Sequence, residues 1–278
     1  MERTGSWYLY NGRVDEGIES LGSMSQPNSD ALLWLGILHM KQGRDGKAED
    51  YFRSAIPMAR ENSNNSMVSI CLSMLSRVNT DRGDYVTALN FAREAAEISI
   101  ESKDPKGEGL SLHARAYCHR ISGDLNLAIE AYETAMEIHR NEGDTVGLRN
   151  ETRNLATAIF MNGGTDEAAK LLRGLEESRS GEVPYYEAYS HVDRAILSFI
   201  EGRFEKTRIE IEKTRKAIEA CEQILDPDEE IILDYLKPTG IPILSEESSG
   251  YTNSYNKGLR WLVDPLDGTV NFIRGIAP

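Results

Sequence analysis

Ala31-Leu32-Leu33-Trp34-Leu35-Gly36-Ile37-Leu38-His39-Met40-Lys41-Gln42-Gly43 is a run of apolar residues at helical spacing that stops at a glycine. Ala48 to Arg60 then forms a second amphipathic segment, with small residues at Ala48 and Ala55 and Phe52 between them. The pattern predicts two helices joined by a glycine turn. Ala48 and Ala55 let them approach closely, and Phe52 fills the layer between.

The unit recurs. Gly43, Gly83, Gly123 and Gly163 stand forty residues apart, and Gly202 follows at thirty-nine. Five residues after each come Ala48, Ala88, Ala128, Ala168 and Thr207; twelve after each come Ala55, Ala95, Ala135, Leu175 and Thr214. A fixed period in this range predicts a solenoid of helix hairpins, each burying its apolar face only against its neighbours. Leu35-Gly36 and Ala48-x-x-x-Phe52, with Pro57 further on, resemble the tetratricopeptide repeat. Ala116, Gly123, Ala128, Tyr132 and Ala135 repeat the pattern in the third unit. Two departures are a period of forty rather than thirty-four and a Trp34 two places from the family's tryptophan. The resemblance covers about residues 6–222. Gly12 and Gly17 fit turn and second-helix positions, with half a first helix before them. It implies a concave groove, lined by the first helix of each pair, that holds an unidentified protein or peptide.

Net charge is -14 and the sequence pI is about 4.9, which excludes nucleic acid and anionic membrane as main partners. Both parts of the chain are acidic: from Asp226 onward there are 9 Asp+Glu against 4 Lys+Arg, and before it 36 against 27. Cys71, Cys118 and Cys221 are widely spaced with no C-x-x-C, so reduced thiols are expected. With no leader-like segment at Met1 to Asn11 and no bilayer-spanning run, the cytoplasm is the expected compartment. His39, His113, His119, His139 and His191 lack the companions of a catalytic or metal motif, so structural or solvated roles are expected. Arg203 to Lys216 reads as a solvated helix face. Tyr185, Tyr186 and Tyr189 are candidates either for the groove or for packing against the next helix.

The period fails after about Ala220. The division is placed there: residues 1–224 as the helical repeat domain and 225–278 as a short, incomplete α/β segment. In the second part, Leu225-Asp226-Pro227-Asp228 is a breaker that offers an Asp N-cap to a helix over Glu229 to Lys237, and strands are expected at Ile241–Leu244 and Leu259–Val263, lying side by side. Asp264-Pro265-Leu266-Asp267-Gly268-Thr269 follows the second strand. Two carboxylates three residues apart across a Pro-fixed turn converge with the Leu266 carbonyl, an oxygen donor set suited to a hard cation such as Mg²⁺. Gly268 and the helix beginning there favour an anion.

Ile243-Leu244-Ser245-Glu246-Glu247 and Trp261 through Thr269 resemble the first two motif blocks of the inositol monophosphatase superfamily, which includes the 3′(2′),5′-bisphosphate nucleotidases. The resemblance covers about residues 226–278. It implies Mg²⁺-dependent hydrolysis of a small phosphomonoester, with Glu246, Asp264, Asp267 and the Leu266 carbonyl as metal ligands and Thr269 assisting the attacking water. Glu222 to Pro227 does not reproduce the family's threonine-x-alanine-aspartate element, Asp226 standing out of register. The later aspartate ligand and the substrate-binding segments are expected to be missing. The expectation is therefore an interaction scaffold of tetratricopeptide type carrying a truncated phosphatase segment that binds Mg²⁺ weakly and is inactive alone. The alternative is a Mg²⁺-dependent phosphomonoesterase whose catalytic domain is incomplete. The repeat array is expected to survive deletion from Asp226 onward.

Overall fold

The computed structural model describes residues 4–178, 183–236, 243–245 and 261–263. Helices fill nearly all of it. α1 (Gly5–Tyr10) and α2 (Val14–Gly22) form a short first hairpin, followed by α3 (Ser29–Lys41) with α4 (Asp45–Glu61). Then come α5 (Asn65–Asp81) with α6 (Tyr85–Glu101), α7 (Pro105–Ser122) with α8 (Leu125–Asn141), and α9 (Thr145–Met161) with α10 (Thr165–Glu177). The last pair is α11 (Pro184–Ile200) with α12 (Phe204–Ala220), and α13 (Pro227–Tyr235) follows. From α1 to α12 each helix packs on its sequence neighbours, and α5 also meets α7, as in a stacked superhelix; α13 packs on α11.

The period appears in the backbone. Gly43, Gly83, Gly123, Gly163 and Gly202 all have φ between 69° and 91°, the left-handed region that ends a helix without Cβ strain. The next amide bonds back to the carbonyl five residues earlier at each turn: Arg44 to His39, Asp84 to Asn79, Asp124 to His119, Gly164 to Ile159 and Arg203 to Ser198. Three of the turns between repeats use the same closure, Asn64 to Ala59, Asp104 to Ser99 and Asp144 to His139. There Ser63 and Lys103 take φ of 53° and 54° without being glycine, and Gly143 takes 68°. Asn28, Asn64, Asp84 and Asp144 cap the following helices by accepting a backbone N–H three residues on.

The small residues sit where the spacing puts them. Ala48, Ala88, Ala128, Ala168 and Thr207 are wholly buried, as are Ala55, Ala95, Ala135 and Thr214. Phe52 and Tyr132, at the same register, fill the space between paired helices. Gly36 is required by close approach, since a methyl there would run into the Phe52 ring.

The run Arg203 to Lys216 is not simply a solvated face. Glu210 is buried and takes His191 at 2.6 Å and Lys213 at 3.0 Å, so one position of that run faces inward for an ion pair.

The two ends of the array meet. Tyr10 on α1 stacks on Tyr186 and meets Tyr185 edge-on, both centroids 5.7 Å away on α11. Beyond α12 the chain turns back toward the first repeats. Glu222 accepts from the Asp15 amide at 2.9 Å, and the Ile224 amide donates to the Lys41 carbonyl at 2.8 Å. α13 starts earlier than the sequence suggests and does not stand apart from the repeats. Leu225, Ile232, Leu233 and Leu236 share one apolar cluster with Leu155, Ile159, Phe160, Val192 and Ile196 of α9 and α11. Ile231, on the opposite side of α13, is 57% exposed. The expectation that the array is indifferent to loss of everything from Asp226 does not match this packing. Further on, β1 (Ile243–Ser245) and β2 (Trp261–Val263) pair in parallel, with Ile243 opposite Trp261 and Ser245 opposite Val263.

Candidate functional site

The first helices of the pairs present one stripe to the concave face. Counted back from each turn glycine, positions thirteen, ten and six carry Leu110, His113 and Tyr117 on α7, and Asn150 and Arg153 on α9. Arg77 on α5 holds the same place as Tyr117. Together with Lys41 at the end of α3 and Tyr185 and Tyr189 on α11, they line a cavity of about 230 Å³ whose remaining wall includes Asp226 and Glu229. The groove is thus built from first helices, as the resemblance implies. The three tyrosines after Pro184 face this groove and the first helix of the chain, not only the next helix.

Four cations, three of them buried and Arg77 partly so, set its electrostatics. Lys41 is 4% exposed; its Nζ donates to Tyr189 Oη at 2.8 Å and to Asp226 Oδ1 at 3.2 Å, and lies over the Tyr189 ring. Arg77 donates to both Asp226 oxygens at 3.2 Å and stacks over Tyr117, 4.8 Å from the ring centre. Arg153 donates through Nε to Asp193 at 3.0 Å, and Arg120 lies over the Tyr117 and Tyr132 rings. Burial alone would push the Asp226 carboxyl up, but Lys41, Arg77 and Arg120 outweigh it and hold it well below the usual carboxylate range. For Lys41, burial pulls down, but Asp226, Tyr185 and Glu229 together outweigh it and raise its pKa, so the ammonium stays charged. Nearby, Tyr117 Oη donates to Asp81 at 2.6 Å, yet burial pushes that carboxyl up to about 6 despite Arg77.

Two of the histidines that line the groove are held by carboxylates. His113 Nδ1 is 2.9 Å from buried Glu151, and His139 Nδ1 is 3.0 Å from Asp144, the cap of α9. The sequence alone does not single out Lys41, Arg77 or Arg153, and does not show Asp226 as their counter-ion. The available signal was register: a charged residue at a position whose equivalents in other repeats face inward.

Glu246, Asp264, Leu266, Asp267 and Thr269, the metal ligands and catalytic residue implied by resemblance, lie outside the described residues. Glu246 and Asp264 follow directly in sequence on Ser245 and Val263, which are paired across β1 and β2. Among the described residues no group of three or more His, Cys, Asp or Glu is placed to hold a metal ion. None of their helices is long and apolar enough to cross a membrane.

Comparison with known proteins divides the chain similarly. Tetratricopeptide-repeat models match residues 29–101 and 111–142, and the inositol monophosphatase family model matches residues 183–277. The second match begins at the start of α11, well before the division expected at 225, so α11 and α12 fall within it while packing as a repeat pair. A search of curated proteins finds no match. Among solved structures, BtubC (BKLC) from P. vanneervenii aligns at TM-score 0.52 and 16% identity over 95% of this chain and 99% of its own. A Rap protein complexed with competence and sporulation factor aligns at 0.55 and 13%, over 85% and 70%. A STAND protein with a tetratricopeptide repeat sensor, PH0952 from Pyrococcus horikoshii, aligns at 0.52 and 15%, over 84% of this chain and 37% of its own. At these identities the likeness is one of fold. The chain is a tetratricopeptide-repeat array, the mark of a protein-interaction scaffold, joined to a partial inositol-monophosphatase-like segment.

Proposed function

We propose that the concave groove holds a peptide or protein partner through the stripe of first-helix residues. The observation that carries this is the cavity itself, where charged and aromatic groups from α3, α5, α7, α9 and α11 converge on one face. A ligand there would meet buried cations whose charges are worth more than exposed ones. Nucleic acid is disfavoured by the overall acidic charge. The buried free thiols suit a reducing compartment such as the cytoplasm. The test is site-specific photo-crosslinking. A benzophenone amino acid at Asn150, in the groove, should capture the partner, whereas one at exposed Val86 on the outer helix α6 should not. Equal capture from both positions would defeat the reading.

A second reading rests on the inositol monophosphatase match. In it Glu246, Asp264, Asp267 and the Leu266 carbonyl hold Mg²⁺, and Thr269 orients a water. The parallel pairing of β1 and β2 supports it by bringing the chain to adjacent points just before Glu246 and Asp264. Bound Mg²⁺ would supply electrophilic stabilisation of a phosphoryl oxygen. The residues of this chain would supply oxygen ligands and a hydroxyl. Hydrolysis also needs a pocket for the organic part of the substrate and an activating carboxylate. The purified chain is expected to show no hydrolysis of inositol phosphates or 3′,5′-bisphosphate nucleotides with Mg²⁺. Turnover that vanishes in Asp264→Asn would establish the phosphatase reading instead.

A further inference from the structure

We propose that α13 and its cap Asp226 are a ligand of the groove carried in cis, and that the partner is an acidic, helix-forming peptide of the same pattern that displaces them. This deepens the reading of the groove as a partner site and rests on it.

The charge argument comes first. Asp226 bridges Lys41 on α3 and Arg77 on α5, residues 185 and 149 positions away, through three contacts of 3.2 Å. It is presented by a capping box in which Glu229 accepts from the Asp226 amide at 3.3 Å, so the carboxylate and the start of the helix arrive as one unit. The apolar argument is independent. Ile232, Leu233 and Leu236 form one face of the segment and join α9 and α11, while Ile231 points away. Acid, cap and aliphatic face together are the features by which a groove reads a short amphipathic helix.

The fit leaves something over. The cavity beside Asp226 stays open, and two of its donors, Arg77 Nε and Arg153 Nη2, are buried without a hydrogen-bond partner. Arg153 is 5% exposed, so solvent does not readily relieve it. A peptide with a second carboxylate would satisfy donors that α13 leaves unmatched, which gives it an advantage over the cis segment. Moreover, α13 has nine residues, below the length at which a helix holds itself in water, so its order depends on the groove. Displacement would unravel it.

The test uses the full chain and a fluorescein-labelled synthetic peptide spanning residues 221–236, followed by anisotropy. Wild type should bind it weakly, because the cis segment competes at an effective concentration of order millimolar. Asp226→Ala should bind it at least tenfold more tightly. So should Leu233→Asp/Leu236→Asp, which frees α13 while leaving Asp226 in the chain and carries the test if Asp226→Ala does not fold. Adding Arg77→Ala to either opened variant, or replacing the peptide's residue Asp226 with asparagine, should abolish the gain. Equal binding to wild type and opened variants would overturn the proposal while leaving the groove a partner site. Absence of binding to opened variants that keep their helical circular dichroism would also overturn it; the Asn150 crosslink then decides separately whether the groove has a partner.

Discussion

Leu233→Ala tests whether α13 belongs to the repeat core. Leu233 is wholly buried in a cluster with residues of α9 and α11, whereas Ile231, two positions away on the same helix, is 57% exposed. Truncating a fully buried leucine costs about 2–5 kcal/mol, the larger values where the surroundings cannot collapse. Here the walls belong to two long helices fixed by their own neighbours, so a value of about 3 kcal/mol is expected. For a unit of this size, that is a fall of roughly 6–12 °C in midpoint. Ile231→Ala should move it by less than about 2 °C, within the range of ordinary surface changes. The assay is thermal melting followed by circular dichroism at the helical band, with urea unfolding as a second axis. If both variants melt like the wild type, α13 is not docked, and the array stands without it as the sequence reading expected. If both lower the midpoint equally, the orientation of the helix is wrong.

Two further outcomes follow from the geometry. Gly36→Ala drives a methyl into the Phe52 ring and should destabilise by about 1–3 kcal/mol, whereas Gly46→Ala meets open space within α4 and should stabilise by about 0.5–1 kcal/mol; urea midpoints separate them. Asp81 and Asp226 should give stability opposite pH slopes. The folded Asp81 retains a proton up to about 6, which the unfolded chain releases near 3.8, so its contribution falls as pH rises across that window. Asp226 is held ionised in the fold, so its contribution is lost as pH falls through its ordinary range. Asp81→Asn should therefore flatten the loss between about pH 4 and 6, by about 1–2 kcal/mol after allowing for partial exposure. A gap between variant and wild type that stays constant across those pH values would refute the assignment.

The array was legible because its determinants are local. A glycine that must turn left-handed and an alanine five residues later that must be small leave their mark at every repeat, and the structure buries every one of those alanines. The groove was less legible because its key contacts are not periodic. Nothing near Lys41 in sequence says that its partner is Asp226, since that meeting depends on how far the superhelix has curved after four further helix pairs. Glu210 was misread for a related reason: its surroundings are Lys and Arg on its own helix, but its partner His191 lies on the helix before. Asp226 was weighed only as a stand-in for a family carboxylate, and a role as counter-ion to the repeats competed with that reading unseen.

The meeting of Tyr10 with Tyr185 and Tyr186, and of residues 222 and 224 with Asp15 and Lys41, changes how the chain should fold. An open stack of repeats unzips from its ends, each unit held only by its neighbours. Here the ends are joined, and contacts such as Asp15–Glu222 and Lys41–Tyr189 span 207 and 148 residues. Closing loops of that length comes late and carries an entropic cost that no single hairpin repays. Partial arrays therefore lack the closure that would hold them, and the repeats are expected to gain or lose their structure together, more slowly than an open stack of the same hairpins.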